Sequence, residues 1–184
     1  MRIFAKFKLI CYGLLLLSAA GCATDAQQQP DDAITVGKEV KIERDEYKNI
    51  VYFRGPVVTN TAENQSEAPE VEEIALYSRI EQNRPMRYFL SVIDYYDGDW
   101  RGFDQAFDLE GDKFHALAVK HNVDCTFLCR YNEVLDIELS KQYLETHTQT
   151  GISMRLYGPT GAASAPFTLP PGYVQGFLNG SNLY

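Results

Sequence analysis

Residues Met86–Tyr96 constrain the fold more than any other stretch. In an extended chain, Tyr88, Leu90 and Val92 point to one side, and Phe89, Ile93 and Tyr95 to the other. A short run that is apolar on both sides reads as a central strand covered on both faces. The segments around it also alternate. Val71–Ile80 puts Ile74, Leu76, Ser78 and Ile80 on one face, and Arg130–Leu139 turns Leu135, Ile137 and Leu139 inward with Asp136 and Glu138 outward. Asn83-Arg84-Pro85, Asp97-Gly98 and Glu110-Gly111-Asp112 separate these runs. Asp-Gly is a strong hairpin signal. It predicts that Trp100–Leu109 folds back along Met86–Tyr96, with Lys113–His121 following as the next strand. Neighbouring strands joined by short turns make an antiparallel meander.

The flanks are more mixed. Ile34–Arg44 alternates weakly and reads as an early strand or the end of a linker. Asn49–Thr59 is the first convincing strand, broken at Gly55-Pro56. Ser140 is placed to cap a short helix over Lys141–Gln149, and Gly151 sits where that helix stops. Ile152, Met154 and Leu156 alternate as a strand, and Ala163–Leu169 pairs back after Gly158-Pro159-Thr160-Gly161. Pro170-Pro171 opens a last helix over Gly172–Asn179, with Tyr173, Val174, Phe177 and Leu178 on one side. The fold expected over residues 34–184 is mainly β. It is a single antiparallel sheet domain, either a sandwich or a strongly bent sheet, with two short helices near the C-terminus. Twelve Tyr and ten Phe, spread among short polar-flanked runs, favour strands further.

The N-terminus carries a different kind of information. Met1–Lys8 holds Arg2, Lys6 and Lys8 and no acid; Leu9–Leu17 is apolar apart from Tyr12 and Gly13; Ser18–Gly21 is small. That order is a secretory signal peptide, 1–21, too short in its apolar part for a spanning helix. Ser18-Ala19-Ala20-Gly21-Cys22 resembles the lipobox of bacterial lipoproteins, although Ala19 stands where leucine is commonest. The resemblance implies cleavage before Cys22 and lipidation of its sulfur. The new amino terminus would gain a fatty acyl group such as palmitate. Ala23 in place of aspartate implies an outer-membrane destination. Several acyl chains, at about 0.8 kcal/mol per buried methylene, hold a protein firmly to a bilayer. Ala23–Ala33 is polar and patternless and reads as a flexible tether, so 22–33 is the lipidated N-terminus and its leash. Leu135–Leu144, Ile152–Gly158 and Pro170–Leu178 together resemble uncharacterised lipoproteins of Gram-negative bacteria, which implies no activity.

Loss of the signal removes three of the 17 basic residues and none of the 25 acids, leaving a net charge of −11. Nucleic acid and anionic lipid heads repel such a chain and are excluded as partners. The bilayer is expected to be met through the acyl anchor alone. Cys11 leaves with the signal and Cys22 takes the lipid. Cys125 and Cys129 remain, and in an oxidising periplasm they read as a disulfide. Free thiols are one alternative. Zinc held with His121, four residues before Cys125, is another, and it needs a helix there.

Asp94-Tyr95-Tyr96-Asp97-Gly98-Asp99-Trp100 is the stretch richest in functional residue types. Its carboxylates could hold calcium, but their spacing is not that of an EF-hand, and turn chemistry accounts for each residue. Tyr95, Tyr96 and Trp100 could offer a sugar or peptide a flat apolar face. His115 and His121 are placed on one face of a strand, about 20 Å apart and unable to share a metal. His147 is expected to be solvated on a polar helix. No nucleophile elbow, phosphate-binding glycine loop or His-Glu-x-x-His occurs, and the cysteine pair is not C-x-x-C. No cofactor, metal or catalytic residue is expected. The function expected is that of a non-catalytic envelope lipoprotein that binds a protein partner, marked by an exposed apolar patch or unpaired strand edge. A glycan- or peptidoglycan-binding module using Tyr95, Tyr96 and Trp100 is the first alternative. An envelope hydrolase with two converging carboxylates is the second.

Overall fold

A computed structural model describes residues 31–59, 71–82, 84–125 and 129–182. The signal sequence, Cys22 and nearly all of the tether lie outside them. In chain order the elements are α1 (Ala33–Glu39), β1 (Lys41–Asp45), β2 (Ile50–Arg54), β3 (Val58–Thr59), β4 (Val71–Glu81), β5 (Arg87–Asp97), β6 (Gln105–Asp108), β7 (Lys113–Asp124), β8 (Arg130–Leu139), α2 (Lys141–Thr146), β9 (Ile152–Tyr157), β10 (Phe167–Leu169) and α3 (Pro171–Ser181). The strands form one curled antiparallel sheet in the order β1-β2-β4-β5-β8-β7-β6-β9-β10, with β3 pairing β4 beyond the end of β2.

The alternation read in β4 and β8 is the alternation of burial. β5, expected to be covered on both faces, buries Tyr88, Leu90 and Val92 on one and leaves Ile93 and Tyr95 partly exposed on the other. Leu90 and Val92 of β5, Leu135 and Ile137 of β8, and Ile74 and Leu76 of β4 all point into the curl and are buried. β9 and β10 close it with Ile152, Met154, Leu156, Phe167 and Leu169, and α3 fills it with Tyr173, Val174, Phe177 and Leu178. Each such side chain stabilises the fold by roughly 1.5–3 kcal/mol relative to exposure. Tyr173 also carries a polar tip into this core. Its hydroxyl donates to the Pro56 carbonyl at 2.5 Å and accepts the Leu76 N–H at 3.2 Å. This bridges the gap where β2 ends and β3 has not begun. Gly55 is needed there because a Cβ would come within 2.6 Å of that hydroxyl.

Two expectations are corrected. Residues 33–39 form a helix rather than a strand or linker. Asp32 caps it, accepting the Thr35 N–H at 2.8 Å and its hydroxyl at 2.7 Å. The even spacing of Ile34, Val36 and Val40 misleads. Ala33, Val36, Gly37 and Val40 follow helical spacing and meet α3 along Gly172, Gly176 and Gly180, which recur every four residues. A Cβ on Gly176 would lie 2.5 Å from the Ala33 carbonyl oxygen, so the two backbones are in contact.

The second correction concerns Asp97-Gly98, which does not make a hairpin. Gly98 has a positive φ of 105°, yet the chain leaves β5 instead of folding back on it. β8 already occupies that edge of β5, from Tyr88↔Leu139 to Asp97↔Arg130. The segment from Trp100 to Leu109 crosses the mouth of the curl, and only Gln105–Asp108 is strand, pairing β7 and β9.

Candidate functional site

Strand length creates the site. β7 has 12 residues and β6 only four. β6 pairs β7 at Lys113–His115, and Ala116 still donates its N–H to the Asp104 carbonyl at 2.9 Å. Beyond that point β7 pairs only with β8 among the described residues, leaving Leu117–Asp124 as an open edge. The register slips between Ala118 and Lys120, so Val119 is a bulge. Before the bulge Ala118 faces Leu135 on the core side; after it His121 faces Glu133 and Val123 faces Tyr131 on that same side. Leu117, Val119 and Val123 are 59%, 57% and 47% exposed.

The inner face beneath this edge is aromatic and then acidic. Trp100, 42% exposed, meets His121 edge-on at 5.1 Å and Tyr131 at 5.5 Å between ring centroids. Tyr131 in turn stacks on Tyr96. Deeper, Asp94 and Glu133 are direct cross-strand neighbours, 0% and 1% exposed. Glu133 takes a hydrogen bond from the Tyr96 hydroxyl, and the N–H groups of Gly102 and Phe103 at 3.0 and 3.2 Å. The Tyr96 oxygen accepts the Arg101 N–H at 3.1 Å, and the Arg101 guanidinium lies 4.3 Å above the Tyr96 ring. Burial first, and then the Glu133 hydrogen bond, push the Tyr96 hydroxyl well above its ordinary pKa. A carboxylate engaged by three donors acts as a clamp. It pins Arg101–Phe103 across the mouth and so fixes Trp100 beside the β7 edge.

On the outer face of the same end, Tyr95, Lys120, Asn122, Asp124, Arg130 and Asn132 line a cleft of about 320 Å³. Arg130 reaches Asp97 at 3.5 Å. The Cys125–Cys129 disulfide joins the ends of β7 and β8, with Cα atoms 4.0 Å apart. His121 lies on β7, not on a helix, so the three residues do not share the helical face that zinc would need.

The aromatic triplet does not come together as one platform. Tyr95 lies on the outer face, and Tyr96 is 3% exposed on the inner one; Trp100 alone of the inner pair reaches solvent. His115 and His121 do not share a face, because the Val119 bulge reverses the alternation between them. His147 is not simply solvated. It ends α2, is half-buried, and its ring lies 4.0 Å from that of Tyr143. A carboxylate oxygen of Asp108 and one of Glu110 lie within 4.8 Å of a ring nitrogen. Cys22 lies outside the described residues.

Sequence reasoning missed the Asp94–Glu133 pair, though a signal existed. Both acids sit in phase with apolar residues, Asp94 after Leu90 and Val92, Glu133 before Leu135 and Ile137. An acid on the apolar face of a strand needs buried partners. No family model matches the chain, and no curated protein or solved structure is significantly similar to it.

Proposed function

We propose that this chain is an outer-membrane lipoprotein, anchored at Cys22, whose β domain has a non-catalytic role and binds a partner protein. The partner contributes an extended segment that adds to β7 as a further strand. The observation carrying this reading is the open edge Leu117–Asp124, with apolar side chains exposed along it. Strand edges are normally blunted, and the two ends of the strand order are. β1 carries Lys41, Glu43, Arg44 and Asp45, and β10 has three residues. The open part of β7 has its bulge, Lys120 and, at its end, Asp124. In strand addition the main chain supplies affinity and alternate side chains supply specificity. Inward positions of the added strand meet His121, Val123 and Trp100; outward ones meet Leu117, Lys120 and the cleft beside Tyr95. The net charge of −11 after signal removal favours a neutral or basic segment. The anchor rests on the basic start, the short apolar run and Ser18–Cys22.

Two experiments test this. Peptides displayed at random are selected against the full chain, and the enriched ones are titrated against Ala118→Pro and Leu117→Lys. Ala116 presents its N–H outward, so Ala118, two residues on, does too, and proline removes that donor without touching the β8 ladder. The expected result is alternating apolar peptides that slow amide exchange at residues 117–124 and bind both variants at least tenfold more weakly. Peptides indifferent to both substitutions, with unchanged exchange at the edge, would refute strand addition. For the anchor, intact mass is measured on membrane-extracted protein and on Cys22→Ala. A chain of Cys22–Tyr184 carrying three acyl chains is expected; a lipid-free chain beginning elsewhere would refute it.

A further inference from the structure

We propose that Asp108, Glu110 and His147 form a binding site for a divalent transition metal, zinc above all, which fastens the β6–β7 turn to the end of α2. One ligand atom from each residue lies within 4.8 Å of the other two. Ligands around tetrahedral zinc sit roughly 3.3 Å apart, given bonds of about 2.0 Å. The remaining closure of about 1.5 Å is within the rotamer range of Glu110, whose side chain is exposed.

The histidine is already oriented for this. Its Nδ1 lies 2.7 Å from the Tyr143 carbonyl oxygen, an acceptor only, so Nδ1 carries the proton. The neutral ring then offers its lone pair at Nε2. A backbone carbonyl on the non-ligating nitrogen is how metal-bound histidines are commonly held. The same tyrosine braces the carboxylate. Its hydroxyl donates to Asp108 Oδ2 at 3.0 Å, while Asp108 Oδ1 accepts the N–H groups of Glu110 and Asp112 at 3.0 and 2.8 Å. Tyr143 thus fixes both ligands from behind, and Ser140 fixes Tyr143 by capping its N–H at 3.0 Å.

Charge points the same way. Among the described residues no lysine or arginine stands within ion-pair distance of Asp108, Glu110 or Asp112. The turn therefore presents negative charge that no described lysine or arginine meets at ion-pair distance, Lys113 lying over the Phe107 ring instead. The donor set selects the kind of cation. Calcium and magnesium take oxygen ligands, whereas one imidazole with two carboxylates suits zinc and its first-row neighbours. Three protein ligands leave the fourth position open to solvent. The residues come from segments 37 apart in sequence, so a bound ion would tie two elements that otherwise meet through Tyr143.

Zinc chloride, with magnesium and calcium chloride in parallel, is titrated calorimetrically into the untagged full chain. Glu110→Gln and His147→Gln are tested alongside; the first removes an exposed ligand without touching Tyr143, and the second removes a ligand together with the ring contact on Tyr143. One zinc per chain is expected, raising the melting temperature, with each variant binding at least ~10-fold more weakly and Glu110→Gln melting like the parent without metal. Imidazole nitrogen NMR should show His147 Nε2 shifting on zinc addition while its Nδ1–H persists. Absence of zinc binding, equal binding by both variants, or shifts at His115 or His121 instead would overturn the site. Equal affinity for magnesium or calcium would overturn the zinc assignment.

Discussion

Replacing Gly176 with alanine sets two effects of known size against each other. Glycine inside a helix costs roughly 1 kcal/mol relative to alanine, so on an isolated α3 the change would stabilise. In this fold the new Cβ would sit 2.5 Å from the Ala33 carbonyl oxygen and 2.7 Å from Val36 Cβ. Carbon contacts are comfortable near 3.5–4.0 Å, so α1 must retreat by about 1 Å or leave. Forced overpacking costs roughly 1–3 kcal/mol, and undocking forfeits the burial of Val36, itself worth about 1.5–3 kcal/mol. The steric side wins, and its effect falls on α1 more than on the sheet. Converted at 1.4 kcal/mol per decade, the local loss is roughly a 10- to 100-fold faster amide exchange across residues 33–40. The β4, β5 and β8 amides should change far less. Hydrogen exchange by mass spectrometry reads both regions in one experiment. Asn179→Ala, on the exposed side of α3, is the control and should leave α1 protection unaltered. If Gly176→Ala instead raises global stability by about 1 kcal/mol and α1 exchanges as before, the glycine stripe is not a packing surface and the account of α1 fails.

Tyr173→Phe removes one acceptor and one donor from the core and strands the buried Leu76 N–H. The expected loss is about 2–3 kcal/mol, or roughly 5–10 °C in melting temperature, and a loss under about 0.5 kcal/mol would contradict the bridge described at Pro56. Burial raises the Asp136 carboxyl above its ordinary 3.8, against the opposing pull of the Tyr77 hydroxyl at 2.6 Å. The folded state therefore holds a proton that the unfolded state releases. The stability linked to it is complete below 3.8 and declines as pH rises through the raised value. Asp136→Asn keeps an acceptor for Tyr77 and carries no charge, so its urea midpoint should gain on the parent across that window; a constant difference would refute the shift. Cys125→Ser combined with Cys129→Ser should cost about 2 kcal/mol by chain entropy for so short a loop. It should also speed exchange at residues 121–124 and 130–133, and identical urea midpoints for oxidised and reduced parent would contradict this.

The strands were legible because each buries one face, so period-two patterning survives in β4, β5, β8 and β9. Pairing order was not. Asp97-Gly98 carries the local chemistry of a hairpin, but a long-range competitor, β8, takes the edge of β5, and Glu133 captures the N–H groups of Gly102 and Phe103 instead. Local signals set where a chain turns; they do not say which strand it meets next. α1 was misread for a related reason. Ile34 is exposed and contributes a false alternation, while the residues that matter, Ala33, Val36 and Gly37, are small, and small residues carry weak hydrophobic signal. Their partner, the four-residue glycine repeat of α3, is visible only when the two ends of the chain are read together. The open edge of β7 is a difference in length between β6 and β7, and nothing local to either strand announces it. Of the proposed metal ligands, Asp108 and Glu110 share the turn of β6 into β7, while His147 lies 37 residues on at the end of α2.

The seating of α1 has a mechanical consequence. Asp31, the first described residue, lies against Gly172, so the chain enters the domain alongside the opening turn of its last helix. Any pull transmitted through the first 30 residues is therefore borne by the α1–α3 contact before it reaches the sheet. That contact is a backbone-to-backbone seam with few side chains to interlock, and it should part before the strands do. Residues 33–40 would then lengthen from about 1.5 to about 3.4 Å per residue, and the body of the domain could travel roughly 15 Å farther from whatever holds the chain at Asp31 without unfolding.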